Sequence, residues 1–174
     1  YNIFACNGIL FNHESPLRGE TFVTKKIISA LCKISLSGTG NLYLGNLYSK
    51  RDWGHAKDYV LAMWKMLQRK NPKDYVIASG RQYSVKYFVN LICDILKIKI
   101  YWKGKGINEK AYWNGKVIIS IDKKYFRPTE VDSLLGDSSK ARKELRWKPL
   151  YNIRSLAQDM VAKEFKKIHV NKKK

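Results

Sequence analysis

The chain has 174 residues, 45% of them hydrophobic, enough for a domain with a real core. No apolar run approaches the about 20 residues of a membrane-spanning helix, which excludes an integral helical membrane class. Lys and Arg total 34 against 14 acidic residues, a net charge of +20, so polyanions and phosphorylated molecules are the partners that charge favours.

That charge is mostly lysine, 26 Lys to 8 Arg, and it is spread along the chain rather than gathered in one block. Ile, Asn, Tyr and Lys are all abundant, as an AT-rich coding bias would produce, so most of the excess reads as solvated surface. Three cysteines, Cys6, Cys32 and Cys93, are far apart and odd in number, which fits neither a zinc site nor a disulfide framework. Cys6 and Cys93 fall in apolar runs and read as core, and a reducing cytoplasm is the expected compartment. The opening Tyr1-Asn2-Ile3-Phe4 has no basic-then-apolar leader pattern and already reads as strand, as in a chain entered mid-domain.

Residues 2–11 form an apolar run that predicts a strand buried on both faces, as in parallel sheets. A polar turn over 12–20 follows. Thr21 is positioned to cap a helix carrying Val23, Ile27, Leu31 and Ile34, and Ser37-Gly38-Thr39-Gly40 ends it. Leu42-Tyr43-Leu44 predicts a short strand leading to Gly45-Asn46. Asp52 precedes an amphipathic helix with Ala56, Tyr59, Val60, Met63 and Leu67 at helical spacing, closed by Asn71-Pro72, and His55 reads as a helix-start residue. Tyr75–Ala78 predicts a strand, and Ser84 caps a helix carrying Val85, Phe88, Val89, Ile92 and Leu96. Ile98–Trp102 and Val117–Ile121 read as strands on either side of a Lys103–Gly106 loop. Ser138 starts a short helix over 139–145, Trp147-Lys148-Pro149 turns, and Ile153, Leu156, Met160 and Val161 mark a final helix before a frayed lysine tail. Strands and helices alternate without an internal repeat, which argues for the α/β class.

Chemistry concentrates at the ends of these elements. A helix N-terminus offers unpaired N–H groups and partial positive charge. His13 and Arg18, five residues apart, can grip a phosphorylated cofactor, or can be a loop histidine and an exposed arginine. The Asn12 carboxamide can meet a pyrophosphate or sugar oxygen, or close an Asx turn. Val23 and Lys26 lie on the first turns of the next helix, where Val23 can equally be core and Lys25 or Lys26 plain surface charge. Arg51 sits at a strand-to-helix junction and can reach a diphosphate while Trp53 covers a ribose, or can rest in a surface arrangement with Asp52. Asn46 is a weaker case of the same kind. Pro128 stiffens the turn that holds Arg127 for a phosphate and Glu130 for ribose hydroxyls, unless the two satisfy each other.

The ordered stretches Asn12-His13-Glu14-Ser15-Pro16, Arg18-Gly19-Glu20-Thr21-Phe22-Val23-Thr24, Gly45-Asn46, Lys50–Val60 and Tyr125–Asp132 resemble the nucleotide-sugar dehydratases that act on GDP-mannose, within the extended short-chain dehydrogenases/reductases. The resemblance covers nearly the whole chain and implies its C-terminal half. It implies one or two strands of an NAD(P)-binding Rossmann sheet plus a smaller α/β sugar-nucleotide domain. It implies NADP bound by His13 and Arg18, and GDP-mannose bound by Asn12, Val23, Lys26, Asn46, Arg51, Arg127 and Glu130. The family oxidises C4 of the hexose, eliminates water across C5 and C6, and returns the hydride to C6. It is a dimer or tetramer, and its product leads toward fucose- or rhamnose-type sugars. Its catalytic Thr, Glu and Tyr-x-x-x-Lys pair precede the region matching Tyr1, so no catalytic residue is carried over and the segment alone is expected to be inactive. Leu17 and Lys25 stand where the family usually has Arg, and Arg146 where it usually has Gly.

Two Tyr-x-x-x-Lys spacings, Tyr101–Lys105 and Tyr112–Lys116, contain glycine and lie outside any helical pattern, so both read as chance. Gly104-Lys105-Gly106 lacks the third glycine and the following helix of a dinucleotide fingerprint. His55 and His169 have no neighbours of metal-ligand spacing. Two other readings stay open: a basic nucleic-acid-binding module, though without a helix-turn-helix, zinc-finger or RNA-recognition signature, and an inactive fragment of such a dehydratase.

Overall fold

Helix caps and short apolar runs account for most of the elements in the computed structural model, which describes residues 3–126 and 131–171. In chain order these are β1 (Gly8–Leu10), β2 (Asn12–Glu14), α1 (Val23–Ser37), β3 (Leu42–Leu44), β4 (Lys50–His55), α2 (Ala56–Leu67), β5 (Tyr75–Ile77), β6 (Gln82–Ser84), α3 (Val85–Ile95), β7 (Tyr101–Lys103), β8 (Lys110–Trp113), β9 (Lys116–Ile121), α4 (Ser139–Leu145) and α5 (Ile153–Asn171). The α/β class holds. The chain divides into two units: residues 3–15, 50–83 and 133–156 form the first, and 16–49, 84–126, 131–132 and 157–171 the second.

In the first unit β1 pairs in parallel with β5, and β2, β4 and β6 form a separate sheet in that order. Tyr59, Ala62 and Met66 of α2 pack with Tyr75 and Ile77 of β5, Ala141 and Leu145 of α4, and Trp147. The Trp147 indole donates to the Asp58 carbonyl at 2.9 Å, so the largest core side chain is also satisfied in its one polar atom. Asp52, fully buried in β4, accepts from the backbone N–H groups of Ser79 and Gly80, both at 2.9 Å, and of Gly136 at 3.3 Å. A carboxylate can be buried there because three donors replace its water.

Two expectations fail in this unit. The 2–11 run is not a doubly buried strand: only Gly8–Leu10 is strand, and Ile3 and Ile9 are 73% and 56% exposed. Among the described residues β1 pairs with a strand on one edge only. The phase of α2 is also different. Its core face is Tyr59, Ala62 and Met66, while Val60, Met63, Trp64 and Leu67 form a second, exposed apolar stripe. Apolar residues all round a helix defeat a periodicity argument, because either stripe fits. His55 starts the helix as expected, its Nδ1 accepting from Lys57 N–H at 3.1 Å as the N-cap.

In the second unit α1 packs against α3 and β3, burying Ile27, Ile28, Leu31 and Cys32. The sheet runs β3–β9–β8–β7, parallel between β3 and β9 and antiparallel beyond. Residue Asn114 at φ 49° and Gly115 at φ 77° turn β8 into β9, the Asn-Gly hairpin signal that the sequence reading passed over. Phe22, not Thr21, is the N-cap of α1, with no side-chain cap bond. Ser84 caps α3 as expected, accepting from Tyr87 N–H at 3.0 Å. Burial pushes the Cys32 and Cys93 thiols up to about 12. Among the described residues no helix is long and apolar enough to cross a membrane.

Arg146 closes α4 in the left-handed region, at φ 48° and ψ 38°. That conformation disfavours any side chain, and glycine adopts it without strain. Lys65 offsets the strain by donating to the carbonyls of Leu145 and Arg146 at 3.2 and 3.0 Å. Arg146→Gly is expected to raise unfolding free energy by about 1 kcal/mol, read from the urea midpoint at unchanged slope.

Candidate functional site

Asn12, His13 and Arg51 fall in the first unit. None lies in a turn or at a helix junction: Asn12 and His13 are in β2, and Arg51 is inside β4, five residues before α2 begins at Ala56. The parallel register places Asn12 beside Trp53 and His13 beside Gly54. Since side chains alternate along a strand, Asn12, Arg51 and Trp53 share one face, and His13, Gly54 and Asp52 the other. The Arg51 guanidinium donates to the Lys50 carbonyl at 2.9 Å. Its supposed surface partner Asp52 is instead buried among backbone donors. His13 bonds through Nδ1 to the Phe11 carbonyl at 2.9 Å, and its ring lies 5.2 Å from that of Tyr59.

A cleft of about 740 Å³ opens in this unit, lined among others by Trp53, Arg81, Tyr83, Arg142, Lys148 and Tyr151. Trp53 lines it, but Asn12, His13 and Arg51 do not. Arg142 is held there by Ser138 Oγ at 3.1 Å and the Ser79 carbonyl at 2.8 Å. Sequence reasoning missed Arg142 because one arginine in a short basic helix carries no signal of its own.

Arg18, Val23, Lys26 and Asn46 fall in the second unit. Arg18 lies flat over Phe22, 3.5 Å from the ring centroid, and lines a cavity of about 520 Å³ with Lys25, Lys163, Glu164, Lys166 and Lys167. Val23 opens α1 and is half-buried. Lys26 is not plain surface charge: its ammonium donates to the Tyr43 carbonyl at 2.6 Å and sits 3.4 Å from the Tyr125 ring centroid. A Cβ at Gly45 would come within 2.4 Å of the Tyr125 carbonyl oxygen, so the 43–46 and 122–126 stretches pass at backbone contact. Asn46 accepts from Tyr48 N–H at 2.9 Å, which closes an Asx turn. Lys26, Gly45 and Tyr125 thus converge. Arg127 and Glu130 lie outside the described residues.

Tyr101 and Tyr112 sit in strands, so neither Tyr-x-x-x-Lys spacing is a helical pair. Among the described residues no His, Cys, Asp and Glu cluster could hold a metal ion.

Comparison with known proteins matches residues 1–160 to the family model described as GDP-mannose 4,6 dehydratase. A GDP-mannose 4,6 dehydratase of Drosophila melanogaster is 53% identical over 173 residues, 98% of this chain and 44% of the relative. One of Cricetulus griseus is 50% identical over 98% of this chain and 46% of the relative, and one of Vibrio cholerae 48% identical over 94% and 47%. The chain spans about half the length of the curated relatives it matches. Among solved structures, RMD from Pseudomonas aeruginosa complexed with NADPH matches with a TM-score of 0.73 at 16% identity, over 91% of this chain and 47% of that one. A dTDP-glucose 4,6-dehydratase from Bacillus anthracis in complex with NAD matches at 0.71 and 18% identity, over 94% and 45%. The fold is that of the extended short-chain dehydrogenases/reductases.

Lys25 lines the second-unit cavity. It is buried, bonds Glu164 at 2.7 Å and donates to the Pro16 carbonyl at 3.2 Å. Burial alone would raise the Glu164 carboxyl, but hydrogen bonds from Lys25 and Ser29 and the Lys25 charge hold it below its usual 4.5. A depressed carboxylate contributes its full stability above its unfolded pKa and loses it as pH falls through the folded value. Glu164→Gln is therefore expected to be less stable by about 3 kcal/mol at neutral pH, the cost of stranding a buried ammonium. Its urea midpoint should fall less steeply than wild type as pH drops below 4.5.

Proposed function

The chain belongs to the GDP-mannose 4,6-dehydratase family, and from that premise we propose that it is the sugar-nucleotide-binding share of such an enzyme, with part of its NADP grip. The complete enzyme converts GDP-mannose to GDP-4-dehydro-6-deoxymannose and water in the cytoplasm, as a homo-oligomer. The observation that carries this reading is the 53% identity that holds across 98% of the chain. The family's catalytic Thr, Glu and Tyr-x-x-x-Lys pair have no counterpart in these 174 residues, so the segment binds but does not turn over substrate.

Arg51 and Arg127 take the diphosphate, where a planar guanidinium donates two hydrogen bonds at once. Glu130 accepts from the ribose hydroxyls. Asn12, Val23 and Asn46 border the sugar nucleotide, with Lys26, whose ammonium is backed by the Tyr125 ring. NADP, when bound, would supply the hydride acceptor and donor that this chemistry needs. The residues present fit part of that cofactor: His13 and Arg18 supply an imidazole and a cation. The pyrophosphate needs a glycine-rich strand-to-helix turn, which this sequence does not contain.

A second reading, a polyanion-binding face, is favoured by one feature. The Tyr101 and Tyr112 rings stack at 5.3 Å and 9°, with the Lys103 ammonium 5.5 and 5.9 Å from their centroids. Calorimetric titration separates the readings. GDP-mannose is expected to bind saturably, and Arg51→Ala to weaken it by about 10–100-fold, the value of a charge-assisted hydrogen bond. Salt-sensitive binding to random duplex, with no heat from GDP-mannose, would overturn the first reading in favour of the second.

A further inference from the structure

The cleft of the first unit is lined by Arg81, Arg142 and Lys148, and none of the three is paired with an acid among the described residues. Arg142 is fixed without being neutralised. Its Nε donates to Ser138 Oγ at 3.1 Å and its Nη2 to the Ser79 carbonyl at 2.8 Å, both uncharged acceptors. Ser138 is buried and donates in turn to the Ala78 carbonyl at 3.0 Å, which ties the anchor to the end of β5. Gly80 lets the guanidinium lie close: its φ of 75° favours glycine, and a Cβ there would come 3.2 Å from Arg142 Nη2. A guanidinium is a planar fork with donors on two edges, and these bonds leave the Nη1 edge without an acceptor among the described residues.

Asp137 is the one acid among the described residues that line the cleft, and its carboxylate accepts from Ser139 N–H at 2.8 Å. Three cations against one carboxylate leave the concavity positive, and a concave wall focuses that field on whatever enters. Much of the remaining wall is apolar. Trp53 and Tyr151 line it, and Leu135 and Leu150 do so while 53% and 71% exposed. Its volume of about 740 Å³ falls within the range of small-molecule sites.

We propose that this cleft is a second binding site, for a compact ring compound carrying a phosphate, of the sugar-phosphate or nucleotide class. The free edge of Arg142 takes the phosphate as a two-bond fork, Arg81 and Lys148 add charge, and the apolar wall receives the ring. Asn12, His13 and Arg51 do not line the cleft, so this site stands or falls apart from the sugar-nucleotide reading above.

The test titrates the ¹⁵N-labelled chain with guanosine monophosphate, glucose 6-phosphate and inorganic phosphate, following the Arg142 Nε–H and the Gly80 amide by NMR. At least one ring phosphate is expected to shift both signals saturably and to bind about tenfold tighter than inorganic phosphate, and the tighter of the two names the source. Arg142→Lys keeps the charge but loses the fork, and should weaken that binding about tenfold. Arg81→Ala and Lys148→Ala remove exposed side chains without partners in the chain, so each should weaken it about threefold or more at unchanged Tm. Lys116→Ala, on a hairpin of the other unit, should leave it as it was. The inference is overturned if neither ring phosphate moves the two signals, or if inorganic phosphate binds as tightly as both. Equal weakening by Arg51→Ala would place the ligand with the sugar nucleotide, and equal weakening by Lys116→Ala would trace it to diffuse charge; either result overturns the inference as well.

Discussion

One buried carboxylate orders the first unit. Asp52 gathers backbone N–H groups from the turn after β5 and from Gly136, stretches distant in sequence. Hydrogen bonds to a charged acceptor are worth about 1.5–3 kcal/mol each, and leaving the donors buried without one costs as much again. That hold decides which side of β4 is inside. With Asp52 turned in, alternation turns Arg51 and Trp53 to the other face and leaves Gly54 next to His13. The candidate residues of this unit thus inherit their directions from an aspartate that touches no ligand.

The second unit relies on lysines in unusual places. Lys25 is buried against Glu164, and Lys86 is paired with Glu109, which also accepts from the Tyr48 hydroxyl at 2.8 Å. Lys26 lies under Tyr125. In each case an acidic or aromatic neighbour answers the charge, so the large positive balance of the chain is partly built into its packing. Lysine tolerates this because its long apolar stem packs while its head finds an acceptor.

Elements with a local signal were legible. Ser84 and His55 mark helix starts, Gly38 ends α1 at φ 70°, and Ile153, Leu156, Met160 and Val161 are all buried along α5. What failed depended on partners distant in sequence. The 2–11 run reads as a buried strand only if strands exist on both sides of it. The polar Asn12–Glu14 reads as a turn unless β4 is known to lie alongside. The two stripes of α2 are equally apolar, and only the arrival of Trp147 and Tyr75 chooses between them. For the candidate site, residue types and motif order carried the reading, while Arg142 gave no sign because its place in the cleft depends on partners distant in sequence.

Helix α2 keeps Val60, Trp64 and Leu67 in water, each more than half exposed. Monomeric proteins seldom leave such a stripe bare, since it attracts whatever greasy surface drifts past. Left to itself in a cell, this polypeptide would meet chaperones and proteases through that stripe before anything else. Its abundance would then follow how quickly a cognate surface shields the helix, rather than how firmly the chain folds.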